Sequence, residues 1–297
     1  MKKRNLRHRF LIDPLVGLGV GLAWTFFKIL PLKTATKIAG YLGKIIAPLM
    51  VKRNKIAYRN LTIAFPNKTD AEKKDIIKKM WIHFAKFFAE MPHTKEWISN
   101  ADVEGADYLQ SMKDDGVGGF VCSAHFGNWE FASTFTAQHF FQLHPVYRPA
   151  NNPWLEKIMF SGRAGVHIPK GAGGAKIMLD LLKQGEHIAI LCDQRLREGI
   201  AVEFFGKMAM TPSAMVSVAL KMRLPIVMGC AKRLPNGQFK MMVEPLPLSS
   251  AQNTQTALYE TVANMNKILE KWITETPEQW MWIHRRFDKT EYEKDMQ

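Results

Sequence analysis

The run His125-Phe126-Gly127-Asn128-Trp129-Glu130 brings an imidazole and a carboxylate close together among small and amide side chains. On a continuous helix this spacing sets the two about 140° apart, pointing away from each other. A strand ending before His125 and a helix starting near Trp129 remove that objection. Glu130 then sits one turn into the helix, where its carboxylate can reach back to one imidazole nitrogen. That contact would fix the tautomer and strengthen the other nitrogen as a base. Asn128 could cap the helix, and the amides of the first turn would face the same pocket. Spacing alone favours a core histidine and a surface glutamate; the small neighbours and the strand-end position are what bring in the catalytic reading. Two other chemistries are poorly served. There is no HExxH, and the other histidines do not gather with His125, so a zinc hydrolase lacks its ligands. Ser123 lies near His125 but lacks the GxSxG elbow of a serine hydrolase.

Such residues need strands and helices to hold them, and from about Asp102 the pattern supplies both. Strands are expected over 118–124, at 146–147 and 166–168, and over 187–192; helices over 129–141, near 153–162 and over 175–183. Thr211-Pro212 pairs an N-cap residue with a first-turn proline, predicting a helix to about Met222. A strand over 225–230, a hairpin around Gly237 and a helix over 254–274 follow. Alternating strands and helices imply an α/β sheet. Upstream, 33–97 reads as helical, with Ile38, Leu42, Ile45, Ile46 and Leu49 on one face and Ile76, Met80, Phe84, Phe87 and Phe88 on a second. The second face reads as core. The first is open between core packing and contact with a membrane surface.

Charge distribution narrows the partner. Of the net +14, residues 1–60 carry +12, from thirteen Lys and Arg against Asp13 alone. A nucleic-acid enzyme would spread its basic stripe over the folded domain. Here the excess surrounds an uncharged apolar run, 14–27, which is what anionic membrane lipids attract. Those residues reach only roughly 21 Å as a helix, short of a ~30 Å hydrocarbon core, but extension to Phe10 and Leu32 would suffice. An uncleaved N-terminal membrane anchor helix is therefore expected rather than a signal peptide. Cys122, Cys192 and Cys230 lie far apart in apolar runs, so they read as buried thiols in a reducing compartment. The segments expected are a basic tail and anchor over 1–32, a helical membrane-proximal region over 33–100, and an α/β catalytic region over 101–297. Residues 33–297 are expected to fold as one unit.

Several blocks share a common likeness. His125 and Glu130 within HFGNWE, Tyr147-Arg148-Pro149 with Asn152-Pro153, Gly162-Arg163, Asp193-Gln194 with Phe204-Phe205-Gly206 and Thr211, and the run from Pro277 to Phe287 (PEQWMWIHRRF) occur in that order. The chain thereby resembles the bacterial lipid A biosynthesis acyltransferases, the late or secondary enzymes of lauroyl and myristoyl type, over nearly its whole length. The resemblance implies a glycerolipid-acyltransferase-like mixed sheet flanked by helices. It implies transfer of a fatty acyl chain from an acyl-carrier-protein thioester to a hydroxyl of a lipid A precursor. This would occur at the cytoplasmic side of a bacterial inner membrane. His125 would be the base and Glu130 its orienting partner, and neither metal, cofactor nor covalent intermediate is needed. Asp193-Gln194-Arg195 stands where other members carry a histidine-containing segment, so the subtype stays open.

Other candidates follow from the same blocks. Arg163 or nearby backbone amides could hold the oxyanion. Arg148 and Arg163 suit phosphate or carbonyl contacts, with a surface ion pair as the alternative. Asp193 and Gln194 follow a buried strand, where open α/β sheets place ligand groups, and Asn128 and Thr211 join this substrate-binding set. Arg285 and Arg286 would meet the acidic carrier protein or lipid phosphates, or simply lie at a solvated C-terminus. Trp280 and Trp282 read as core or interfacial anchors. Two rival readings remain: a lysophospholipid or glycerolipid acyltransferase using acyl-CoA or acyl-carrier protein, and a non-catalytic membrane scaffold. Nucleic acid is not an expected partner.

Overall fold

The computed structural model describes residues 12–93, 102–160 and 165–293. The helical region divides into α1 (Asp13–Ile29), α2 (Leu32–Ile46), α3 (Val51–Ala64) and α4 (Asp70–Glu90). Prolines set the breaks. Leu30, ahead of Pro31, is extended at φ −84°, ψ 145°, as the ring of a following proline requires. Thr69 and Glu72 form a reciprocal capping box that starts α4.

The segment expected over 10–32 as an anchor holds the helix α1, 17 residues long. At 1.5 Å per residue it spans roughly 26 Å. Among the described residues no helix is long and apolar enough to cross a membrane; Phe10 and the basic N-terminal tail lie outside them. Leu15, Leu18, Leu22, Phe26 and Ile29 of α1 face outward. The apolar stripe expected on α2 does not face the core. The helix packs Ala35, Ala39, Gly40 and Gly43 inward, and at Gly43 an added Cβ would stand 2.7 Å from the Trp81 carbonyl oxygen. Small residues make that close approach, and Leu42, Ile45, Ile46 and Leu49 are left on the outside. On α4 the expected core face holds for Ile76, Met80 and Phe87, while Phe88 is exposed.

The α/β part runs β1 (Asp102–Glu104), α5 (Ala106–Asp114), β2 (Gly119–Ser123), α6 (Trp129–His139), β3 (Leu143–Tyr147), α7 (Pro153–Phe160), β4 (Ile168–Pro169), α8 (Ala172–Lys183), β5 (His187–Leu191), β6 (Ile200–Phe204), β7 (Lys207–Thr211), α9 (Ala214–Met222), β8 (Ile226–Arg233), β9 (Phe239–Pro245), α10 (Thr254–Glu275) and α11 (Thr290–Glu293). Seven strands form a mixed sheet in the order β1-β9-β8-β2-β5-β3-β4. β2 pairs in parallel with both β5 and β8, and β8 and β9 form the antiparallel hairpin expected around Gly237. Helices flank the sheet, and both faces are buried. Phe120 and Cys122 of β2 join a core with Met215, Val216, Val262 and Leu269, while Val121 packs with Phe131, Phe135 and Leu109. Burial on both faces explains why these strands read as unbroken apolar runs rather than alternating ones.

β6 and β7 form a separate antiparallel hairpin. Phe205 and Gly206 make its turn with φ of 50° and 70°, the left-handed pair of a two-residue connection. The Phe205 amide donates to Glu270 Oε1 at 2.6 Å, which ties the turn to α10. The helix expected from Thr211 instead begins at Ala214, because Thr211 is the last residue of β7.

Candidate active site

The register of two neighbouring strands builds the centre of the site. β2 and β5 lie in parallel with Ser123 opposite Leu191, and Cys192 N–H donates to the Ser123 carbonyl at 2.9 Å. His125 and Asp193 each follow two residues later. They leave the carboxyl edge of the sheet side by side, where such sheets place their functional groups. Asp193 Oδ1 accepts from His125 Nδ1 at 2.9 Å. Its Oδ2 accepts from the His125 main-chain N–H at 3.0 Å and from the Trp280 indole N–H at 2.8 Å. The Asp193 side chain is 2% exposed and that of His125 19%. Burial pushes the carboxyl up, but the His125 charge and these three hydrogen bonds more than offset it and bring Asp193 to about 2. Asp193 is therefore ionised at neutral pH. The proton on Nδ1 leaves Nε2 as the basic nitrogen, directed away from the carboxylate. The Gln194 side-chain amide lies 3.3 Å from Nε2.

The carboxylate bonded to Nδ1 is thus Asp193 rather than the sequence-adjacent Glu130. Glu130 stands in the first turn of α6 and lines the same cavity as His125. Ser123 Oγ is buried without a hydrogen-bond partner among the described residues. It is not bonded to His125, so a serine nucleophile with His125 as its base is not assembled here.

The loop between His125 and α6 is held from three directions. Gly127 adopts φ +58°, and a Cβ there would lie 1.9 Å from the Ala231 carbonyl oxygen, so only glycine fits. Its N–H donates to the Gln279 carbonyl at 3.0 Å, and the Gln279 side chain bonds both main-chain groups of Arg233 at 2.8 Å. The Met281 N–H donates to the His125 carbonyl at 3.0 Å. His83 contacts the Gly127 carbonyl through Nε2 at 3.0 Å, and its Nδ1 accepts from Arg233 Nε at 3.4 Å. Burial, then the Arg233 charge, lowers His83 to about 3, so this imidazole is neutral. Arg233 forms a two-pronged ion pair with the buried Glu90. Glu90 in turn accepts from Asn128 Nδ2 at 2.9 Å.

Several expected substrate contacts prove to be internal supports. Asn128 is fully buried. Its oxygen caps α6 by accepting from Phe131 N–H at 2.9 Å, and its amide is held by Glu90. The expected cap is formed, and the side chain is taken up by these internal bonds. Thr211 is also fully buried, donating to the Ala209 carbonyl and accepting from Arg286. Arg286 is 1% exposed, bonded to the Met210 carbonyl and Thr211 Oγ1 and lying over the Phe204 ring. Burial lowers it to about 10, and its guanidinium is held inside the protein. Arg285 is partly exposed above the Tyr292 ring. Arg148 is exposed and lines the cavity with Gln194 and Arg195. Arg163 lies outside the described residues. Trp280, expected only as a core or interfacial anchor, is buried and also donates to Asp193. Its place in the block from Pro277 to Phe287 was visible, but the indole bond to Asp193 was not.

The cavity in front of His125 has a volume of about 1600 Å³. That exceeds the roughly 300–1,000 Å³ of a small-molecule pocket and suits chain-bearing ligands. Its walls are mainly apolar, from Phe84 and Phe87 of α4, Ala132 of α6 and Met178 of α8, with Trp24 and Lys28 of α1 also lining it.

An imidazole base opening on a chain-sized apolar cavity suits transfer of a fatty acyl group. Residues 1–289 match the family described as bacterial lipid A biosynthesis acyltransferase, and the chain belongs to that family; the protein is an acyltransferase. It is 27% identical over 290 residues to the lipid A biosynthesis lauroyltransferase of Escherichia coli (strain K12), covering 92% of this chain and 91% of that one. It is 25% identical over 283 residues to the lipid A biosynthesis palmitoleoyltransferase of the same strain, covering 92% and 90%. A more distant likeness, 22% over 222 residues, is to the phosphatidylinositol mannoside acyltransferase of Mycolicibacterium smegmatis (strain ATCC 700084 / mc(2)155), covering 69% and 70%.

Proposed function

We propose that the protein moves a fatty acyl chain from an acyl-carrier-protein thioester to a hydroxyl of a lipid A precursor, with His125 as the base and Asp193 as its orienting carboxylate. His125 Nε2 takes the acceptor hydroxyl proton as the oxygen attacks the thioester carbonyl. The tetrahedral intermediate then expels the thiolate, which receives that proton from the imidazolium. A placed base of this kind supplies ~10²–10⁴-fold. Glu130 and Gln194 act from the cavity wall on the reacting groups. The oxyanion is met by Gln194, by Arg163 or by the unpartnered Ser123 hydroxyl. Arg148 addresses the anionic head of the acceptor, and Arg285 the acidic carrier protein.

Reaction takes place at the cytoplasmic face of the inner membrane. The outward apolar residues of α1 and α2 lie among Lys28, Lys33, Lys37 and Lys44, the pattern of an interfacial helix on anionic lipid. Because Trp24 and Lys28 also line the cavity, this face and the cavity meet along α1.

The observation that carries the reading is the Nδ1–Asp193 bond beside a chain-sized apolar cavity. Purified protein given labelled acyl-carrier protein and a tetra- or penta-acylated lipid A precursor is expected to yield a product one acyl group heavier. The likeness to an enzyme named for a phosphatidylinositol mannoside favours a second reading, in which the acceptor is a glycerolipid such as a lysophospholipid. Product from the lysophospholipid alone would establish that acceptor instead.

A further inference from the structure

The cavity has an arm that runs from His125 across the sheet. Extending the β2–β8 pairing, in which Cys122 lies opposite Met228, sets Ser123 beside Gly229. Gly229 is in turn paired with Val243 of β9. Ser123, Gly229 and Val243 thus form a row across three strands, and all three line the cavity. At a strand spacing of about 4.8 Å the row extends roughly 10 Å beyond the reacting end. Ala132 and Thr136 of α6 line the arm opposite the sheet. The Thr136 hydroxyl is taken up by the Ala132 carbonyl at 2.9 Å. Leu109 of α5, fully buried, also lines the cavity and packs in the same cluster as Val243, beyond the row.

Gly229 has no structural reason to be glycine. It lies inside the eight-residue strand β8, where a glycine weakens pairing. It is not among the residues with positive φ. A Cβ added there would meet nothing closer than 3.9 Å, from the Met242 carbonyl oxygen and Val243 Cγ2. The space above it belongs to the cavity.

We propose that this arm holds the donor's fatty acyl chain and that Gly229 sets the chain length accepted; the assignment rests on the acyl-transfer reading above. A side chain at 229 would occupy the volume of the chain's distal methylenes, and one methylene in an apolar pocket is worth ~10-fold or more in kcat/KM.

The test measures kcat/KM of the full-length protein with a ladder of saturated acyl-carrier-protein donors, each two carbons longer than the last. Gly229→Ala and Gly229→Val should move the optimum to shorter donors. The longest good donor should lose roughly tenfold or more while short ones are kept. Leu109→Ala, which opens the far end, should move the optimum the other way and serves if the Gly229 variants do not fold. Melting temperatures establish folding. A uniform loss at every length, or a length profile unchanged in the folded variants, would overturn the assignment. Wild-type protein inactive with every donor would instead overturn the acyl-transfer reading itself.

Discussion

Replacing Asp193 by asparagine tests the arrangement around His125 with almost no change in volume. Three donors converge on the two carboxylate oxygens: His125 Nδ1 on Oδ1, and the His125 main-chain N–H and the Trp280 indole on Oδ2. An asparagine offers one accepting oxygen and one donating NH₂. If its oxygen keeps the two donors at the Oδ2 position, its NH₂ faces Nδ1, which must then accept. The imidazole proton moves to Nε2 and the base is lost. The same exchange in the Ser-His-Asp triad lowers kcat by ~10⁴, about 5 kcal/mol of barrier, and a fall of that order is expected here. The assay is single-turnover acyl transfer by purified protein, with a melting curve to show that the variant is folded. Glu130→Gln leaves the Nδ1–Asp193 bond in place and should fall less. Activity of Asp193→Asn within tenfold of wild type, with Glu130→Gln collapsing, would return the orienting role to Glu130 and refute the reasoning.

Trp280→Phe keeps the ring and removes one charge-assisted donor from Asp193, worth ~1.5–3 kcal/mol, so a roughly 10- to 100-fold loss in turnover is expected in a folded protein. His83 is held at about 3 against an ordinary value of ~6.5. As pH falls below ~6.5 the unfolded chain gains a proton at this position that the folded one does not, so stability declines down to about pH 3. His83→Gln should flatten that part of a denaturant-midpoint-versus-pH curve; an unchanged slope would assign the decline to other groups. Cys122, Cys192 and Cys230 are buried with thiols pushed up, first by burial, so a thiol reagent should label none of them until the protein unfolds. Lys33→Gln, Lys37→Gln and Lys44→Gln on α2 should each weaken sedimentation with phosphatidylglycerol vesicles by about 1 kcal/mol, or roughly fivefold. Equal binding by the triple variant would place membrane contact elsewhere.

What the sequence showed of this site follows from distance along the chain. His125 was legible because a strand, a tight turn and a helix cap are local signals, and Gly127 and Asn128 do support that turn. Glu130 drew the orienting role because it was the nearest carboxylate. Asp193 stands 68 residues from His125 and Trp280 a further 87 beyond Asp193; the first meeting depends on β2 and β5 being neighbours and the second on the bridge between Phe126 and Trp280, which no local pattern encodes. Arg286 and Thr211 misled for a related reason. An arginine in a polar-looking block reads as surface, and only the packing of β7, α10 and the C-terminal segment shows that it is buried. The stripe on α2 was correctly seen as apolar, but its direction was set by small residues at Ala39, Gly40 and Gly43 that a hydropathy pattern passes over. The β6–β7 hairpin is not legible in the sequence because its turn, Phe205-Gly206, carries none of the usual asparagine or aspartate signals.

The most direct test is mass spectrometry of lipid A from cells lacking this chain, complemented with wild type or with His125→Ala. The account predicts lipid A short by one fatty acyl group, restored by wild type and not by His125→Ala, with the missing mass giving the chain length. Lipid A of unchanged mass, or restoration by His125→Ala, would contradict it.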